Sequence, residues 1–518
     1  MLDFLPLRQP AWSPTRERIV LAVLLVLFLA VNLLTAERSP TVWQDEVLYA
    51  DPAINVIRGH GFTSAAWFAQ PKEEMWVGNA PLHTLLLIPW LSMWGVTPTS
   101  VRSVNYLYIV VAAALMWAWA RRLRIIKSAS MRLVFVTLLI CGQGVAFGYR
   151  SGRNDSIGIL LVAGALFATA FQSSRLRTGL LAVIGLLLPF AGLQLIPFVM
   201  LLCVLLGFFL GAARLRPTIA FGLGCAFGAT LLVLGPLFLG LWGGFCRSVL
   251  ALAGPGLPQQ GRFLSYLLGK AASGWWALEH DLSALCVIVC LGLAVAVGLS
   301  AHDLNFRSPG VVGLTIALAL PPVMSLAGRF PAYYSWMVFV PGTVCGVMVL
   351  ERWLGTPPVG GLTACRVLLA SFGGLLGLAV VVGLPLRLTR AVAEWSARDY
   401  AQVESLVRTH VGAGDWVYCT YSAYYPAKDV AEVVFLPPYR RVMRRDEKAR
   451  ITTLVVAPNE AAEAQALIGG EWREVGVSLA GRKLTPAFEE LQSKLFGQAA
   501  YRYNLTMLRR VVERAKMR

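Results

Sequence analysis

Charged side chains are scarce in this sequence. They make up 14% of the 518 residues, against roughly 25% in globular proteins, and that deficit excludes an ordinary soluble enzyme. Paired cysteines are lacking as well. No C-x-x-C occurs among the nine cysteines, and most of them (Cys141, Cys203, Cys225, Cys286, Cys290, Cys345, Cys365) sit inside apolar runs, where cysteine behaves as a small hydrophobe. Neither a disulfide framework nor a zinc site is implied. Acids are the scarcer sign, 28 Asp plus Glu against 46 Lys plus Arg, giving a net charge of +18. In a soluble chain that excess suggests nucleic acid, but no nucleic-acid module is present. Internal repeats and low-complexity tracts are missing too.

What the sequence does have is apolar runs: 57% of residues are hydrophobic and the mean hydropathy is +0.63. A crossing helix needs about 20 apolar residues, and cationic residues gather in cytoplasmic loops. Together these predict a mainly α, polytopic transmembrane bundle of about eleven spans. The first is an uncleaved span over 19–35. The second, 101–120, ends in Arg121, Arg122, Arg124 and Lys127 with no acid among them, which puts its end in the cytoplasm and makes 36–100 a long external loop. Further spans are expected over 131–149, 156–172, 178–211 (two crossings with a turn near 191–194), 217–241, 282–301, 310–327, 335–350 and 362–386. The membrane part is thus 1–386, and the odd count leaves 387–518 outside. There the composition shifts towards a small α/β domain, with a helix over 393–410, strands over 415–420 and 451–457, a helical 459–468 and a strand-like 472–479.

The chemistry-bearing residues cluster in the external loops. Asp45 and Glu46 follow the first span by a few residues; a carboxylate at a membrane surface serves as a general base or holds a divalent metal, and the plain alternative is a solvated loop edge. Asp51-Pro52, followed by a run to Gly59, matches a helix start, with Asp51 as N-cap and Pro52 at the first position. His60 and Arg58 then lie near that helix's end. Residues 78–95 are apolar, aromatic and short for a span, as an interfacial helix would be. In the second loop Arg153 and Asp155 stand two apart: an Arg fork suits phosphate, and membrane-edge snorkelling is the plain alternative. Arg247, Arg262, Lys270, Arg329, Tyr333 and Tyr334 add cations and aromatics on the same face, where they either receive an anionic headgroup or anchor at the interface. Glu279-His280-Asp281 is no metal triplet, because consecutive side chains point apart.

Asp45-Glu46, the 59–62 Gly-His-Gly-Phe, Pro81-Leu82 before an interfacial helix ending at Gly95, and Arg102 entering the second span closely resemble the large membrane glycosyltransferases of the C superfamily (GT-C). The nearest groups are the protein mannosyltransferases of family 39, the bacterial lipid A aminoarabinose transferases, and relatives that place sugars such as galacturonic acid on lipopolysaccharide. The motifs span roughly Trp43 to Asp155; the rest agrees in architecture. The resemblance implies Asp45, seconded by Glu46, as the base, and Arg153-Asn154-Asp155 as the family's second-loop Arg-x-Asp element, with Asp155 in the catalytic set. Arg153, Arg262, Lys270, Arg329 and Tyr333 are then expected at the donor phosphate. Two departures stand: Asn79-Ala80-Pro81 replaces a Lys-Pro-Pro stretch, and Gln194 replaces a lysine, which weakens the case for an aminoarabinose donor and a lipid A acceptor.

The expectation is a transferase taking sugar from a polyprenyl-phosphate donor to a lipid, glycan or protein hydroxyl on the periplasmic face of a bacterial inner membrane. A divalent metal at Asp45, Glu46 or Asp155 is left open. The alternatives are a lipid or solute transporter, disfavoured by the absence of repeats, and a non-catalytic scaffold.

Overall fold

The computed structural model describes residues 12–68, 70–253, 263–301, 305, 307–356, 362–478 and 502–511; Arg262 lies outside them. The molecule is mainly helical. Among the described residues eight helices are long and apolar enough to cross a membrane: Pro14–Leu34, Pro98–Arg122, Ser174–Ala191, Leu215–Phe238, Leu282–Ser300, Pro309–Ala327, Ala332–Gly355 and Thr363–Val381. The expected single span over 131–149 is instead two helices, Ala129–Cys141 and Gln143–Arg150, bent by 55° at Gly142. Asp155–Ala168 and Leu195–Leu210 are apolar but shorter. The chain is an integral, multi-pass membrane protein.

The two ends of the bundle are told apart by the first helix. Near its start Glu17 pairs with Arg132 at 2.6 Å and accepts from Trp117 Nε1 at 2.7 Å. Near its end Asn32 Oδ1 accepts from Arg150 at 2.5 Å, and the Thr35 carbonyl at 2.9 Å. The helix separates these two polar layers by about 22–27 Å, close to the hydrocarbon thickness of a bilayer, about 30 Å. Arg121 to Lys127 lie at the first layer, and the long loop 36–100 lies at the second.

That loop is built on two helices, Gln44–Ile57 and Pro81–Trp94, the latter where an interfacial helix was expected. Asp51 is not an N-cap. Its helix begins seven residues earlier, at Gln44, and Asp51 is fully buried, accepting from Ser64 Oγ at 2.7 Å and Tyr424 Oη at 2.5 Å and pairing with Lys428 at 3.0 Å. Tertiary partners override the local start signal.

Those partners belong to a five-stranded sheet, β1 (Trp416–Cys419), β2 (Val433–Phe435), β3 (Thr453–Val456), β4 (Trp472–Ser478) and β5 (Leu505–Arg510), in the order β2-β1-β3-β5-β4. β2, β1 and β3 are parallel, while β5 is antiparallel to both its neighbours. The helix between 393 and 410 is shorter than expected, Tyr400–His410. One apolar core joins the sheet to the loop: Val47, Ile54, Trp67 and Leu91 from the loop pack with Val403, Val417, Tyr425 and Met507.

Burial raises the Asp51 pKa, but the Lys428 ammonium and the Tyr424 and Ser64 hydroxyls outweigh it and hold the carboxyl below its ordinary value. A depressed carboxylate stabilises the folded state above its unfolded pKa of about 3.9, and that contribution is lost as pH falls through the folded value. Hydrogen exchange in Tyr424–Val430 is therefore expected to stay slow from neutral pH to about 4 and to rise below it. Lys428→Met removes the main counter-charge and should move that rise to higher pH; an unchanged acid profile would show that the pair does not hold the interface.

Candidate active site

Asp45 and Glu46 are adjacent, and the helix they start separates them by about 100°. Asp45 keeps 20% of its side chain exposed and pairs through Oδ2 with Arg153 Nη1. Glu46 points inward and is fully buried. Its Oε2 receives Arg102 Nε at 3.0 Å and Nη2 at 2.5 Å, and its Oε1 accepts from Tyr425 Oη at 3.2 Å. Arg102 also donates to the Pro40 and Ala36 carbonyls. The expected seconding role of Glu46 thus meets a carboxylate with both oxygens engaged and no exposure.

Arg153 is 1% exposed at its side chain and is fixed from several directions. Its Nε donates to Asp155 Oδ2 at 2.6 Å, while Asp155 Oδ1 accepts from Trp336 Nε1 at 3.0 Å. The guanidinium lies 3.8 Å from the centre of the Tyr333 ring, an attractive cation–π contact. Tyr333 in turn stacks on Phe147 and meets Trp43 edge-on. Burial opposes the Arg153 charge, but Asp155 and the two tyrosines outweigh it, so its pKa is raised. The second loop therefore presents one fixed cation to Asp45, and Asp155 serves that cation.

The backbone of this loop is pinned as firmly. Asn105 Nδ2 donates to the Arg153 carbonyl at 3.0 Å and Asn154 Nδ2 to the Ala191 carbonyl at 2.6 Å. His83, pushed down to about 4 by burial, is neutral at pH 7, so its Nε2–H donates to the Gly152 carbonyl at 3.2 Å. Gly152 has φ +63°, and a Cβ there would stand 2.6 Å from Glu46 Cγ. Gly152→Ala is expected to cost about 1–3 kcal/mol through overpacking and backbone strain, read as a lower Tm in detergent. A wild-type Tm would mean the loop is free to shift.

Two cavities meet at Arg329. One, about 440 Å³, lies between the bundle end and the sheet and is lined by Gln44, Phe68, Arg329, Tyr418, Tyr421, Arg440, Arg441 and Glu460 among others. The other, about 120 Å³, is walled by Asn79, Gln194, Pro197, Val249, Met324, Arg329 and Tyr334. Sequence reading named Arg329 but not Arg440 or Arg441, which come from the far end of the chain and carry no motif. Lys270 is not part of either wall; its Nζ lies 5.8 Å from the Tyr266 ring on its own helix. Arg247 pairs with Glu74 at 3.7 Å.

The residue set does not fit a divalent cation. The Arg153 guanidinium already sits between Asp45 and Asp155, Arg102 neutralises Glu46, and no group of three His, Cys, Asp or Glu converges among the described residues.

No protein-family profile matches the chain, and no curated protein matches it in sequence. Solved structures do. ArnT from Cupriavidus metallidurans bound to undecaprenyl phosphate superposes with a TM-score of 0.52 at 11% identity, over 97% of this chain and 99% of that one. The same protein in its apo state gives 0.53 at 12% identity, over 96% and 99%. Such identities establish the fold alone: the chain has the fold of ArnT.

Proposed function

We propose that the chain is a membrane glycosyltransferase that moves a sugar from a polyprenyl-phosphate donor to a hydroxyl of a lipid, glycan or protein acceptor. The observation that carries it is Asp45: a partly exposed carboxylate, aimed by a buried arginine, on the fold of a protein solved with undecaprenyl phosphate. The prenyl chain lies along the smaller, mostly apolar cavity, with the phosphate towards Arg329, which lines both cavities. The acceptor occupies the larger one, beside Gln44 and hence Asp45.

Asp45 takes the proton of the acceptor hydroxyl as its oxygen bonds to the anomeric carbon. The bond from that carbon to the phosphate oxygen breaks, and polyprenyl phosphate leaves with its electron pair, stabilised by the charges of Arg329 and of the fixed Arg153. A single displacement inverts the anomeric centre. Arg153 also holds Asp45 through its Nη1, and Asp155, Trp336 and Tyr333 keep Arg153 in place. By the charge of the 121–127 loop, the site faces away from the cytoplasm, which in a bacterial inner membrane is the periplasm.

The test is release of polyprenyl phosphate from a panel of polyprenyl-phosphate sugars by the protein in nanodiscs, with a membrane extract as acceptor source. Release coupled to sugar transfer supports the reading. A folded protein that binds no donor in the panel, or carries one across the membrane without cleaving it, would sink it.

A further inference from the structure

The short helix Leu384–Ala393 follows the last span after Val382 and Gly383. Gly383 presses against the Cys141 carbonyl at the 55° bend, so closely that a Cβ would not fit. This anchors the helix at the membrane surface, at the end of the bundle that carries Asp45. Its polarity is inverted. The buried face is Leu384, Arg387, Arg390 and Ala391, while Val392 is 64% exposed and the following Trp395 44%. Three-residue spacing puts both arginines on one face, and here that face is turned inward.

Arg387 is 5% exposed, and its Nε and Nη1 have no hydrogen-bond partner among the described residues. Its guanidinium lies 5.3 Å from the Phe147 ring centre. The acid whose charge reaches it is Asp281, but those oxygens are taken by the Ala284 N–H and the Ser335 hydroxyl. Arg150, whose charge also reaches it, donates only to neutral oxygens, those of Asn32, Thr35 and Ser39. Glu394 serves Arg390, Arg398 and Arg502 at 3.5, 2.8 and 3.0 Å. Among the described residues Arg387 is thus a buried cation with no ion pair, an arrangement costly without a counter-anion.

We propose that Arg387, backed by Arg150 and Arg390, binds a phosphate group at the membrane surface, supplied by the headgroup of an anionic phospholipid. The exposed Val392 and Trp395 place this helix at headgroup level, where Trp is favoured, and basic pockets at span ends bind lipid phosphates. The site does not depend on the transferase reading, since Arg387 takes no part in the steps assigned to Asp45.

The experiment uses the full chain in phosphatidylcholine nanodiscs with and without phosphatidylglycerol, reading Tm and retained lipid by native mass spectrometry, for wild type, Arg387→Gln and Arg387→Lys. Wild type is expected to gain Tm with phosphatidylglycerol and to retain it at least about tenfold over phosphatidylcholine. Arg387→Lys should keep part of that preference. Arg387→Gln should lose it, yet be no less stable than wild type in phosphatidylcholine alone, because it removes a buried charge that lacks a counter-ion. A residue with a purely structural role would destabilise equally in both lipids, and that result overturns the proposal. If Arg387→Gln does not fold, the absence of any wild-type response to phosphatidylglycerol overturns it as well. Inorganic phosphate is added in detergent as a separate arm; a Tm gain there, with none from phosphatidylglycerol, assigns the same site to free phosphate.

Discussion

Asp45→Asn is expected to lower sugar transfer by about 10²–10⁴-fold, the usual share of a general base, with expression and Tm close to wild type. Asn keeps the shape of the side chain and can still accept from Arg153, but it cannot take the acceptor proton. Arg153 is not set free by the change, because Asp155 and the Tyr333 ring still hold it. The measurement is initial rate and KM for a donor found in the panel. A fall in kcat with little change in KM indicates a group that acts in the transition state. Transfer within about tenfold of wild type would remove Asp45 from the base role. Glu46→Gln makes the contrast: its carboxylate has no exposure, so the change should act on stability before turnover.

Arg102→Met is expected to destabilise the protein by about 3–5 kcal/mol, because it leaves the Glu46 carboxylate buried without its counter-charge. Arg102 also ties the Ala36 and Pro40 carbonyls to the start of the Pro98–Arg122 helix, so the loop entry loosens at the same time. The double variant Glu46→Gln with Arg102→Met should recover a large part of the loss, since a buried pair removed whole costs far less than one broken. Thermal unfolding of the four proteins in one detergent gives the coupling directly. Additive losses would mean the two side chains do not act as a pair.

Much of the bundle was legible because membrane insertion writes itself into composition: a stretch that meets lipid must be apolar for its whole length. The turn near 191–194 was found that way, and it falls at Gly192. The bend at Gly142 was not, because both arms are apolar and the break depends on Phe339 packing against that glycine. Asp45 and Glu46 were found as a pair, but helix phase decides which stays partly exposed and which is buried, and phase depends on where Gln44–Ile57 begins. Asp51 misled for a related reason: Asp-Pro is a start signal only if no partner elsewhere claims the carboxylate, and Lys428 and Tyr424 are more than 370 residues away in sequence. β2 is three residues long and β5 ends in two arginines, so neither carried the alternation that marks a strand.

The fastening of the first loop by the end of the chain orders events during synthesis. Tyr425 reaches Glu46 across 379 residues, and Tyr503 reaches the Glu37 carbonyl across 466. At about 5–20 residues per second, the helix carrying Asp45 waits tens of seconds before its last supports exist. A ribosome-bound precursor can hold every span and still lack the contacts from Tyr425 and Tyr503 that complete the seat of the first loop.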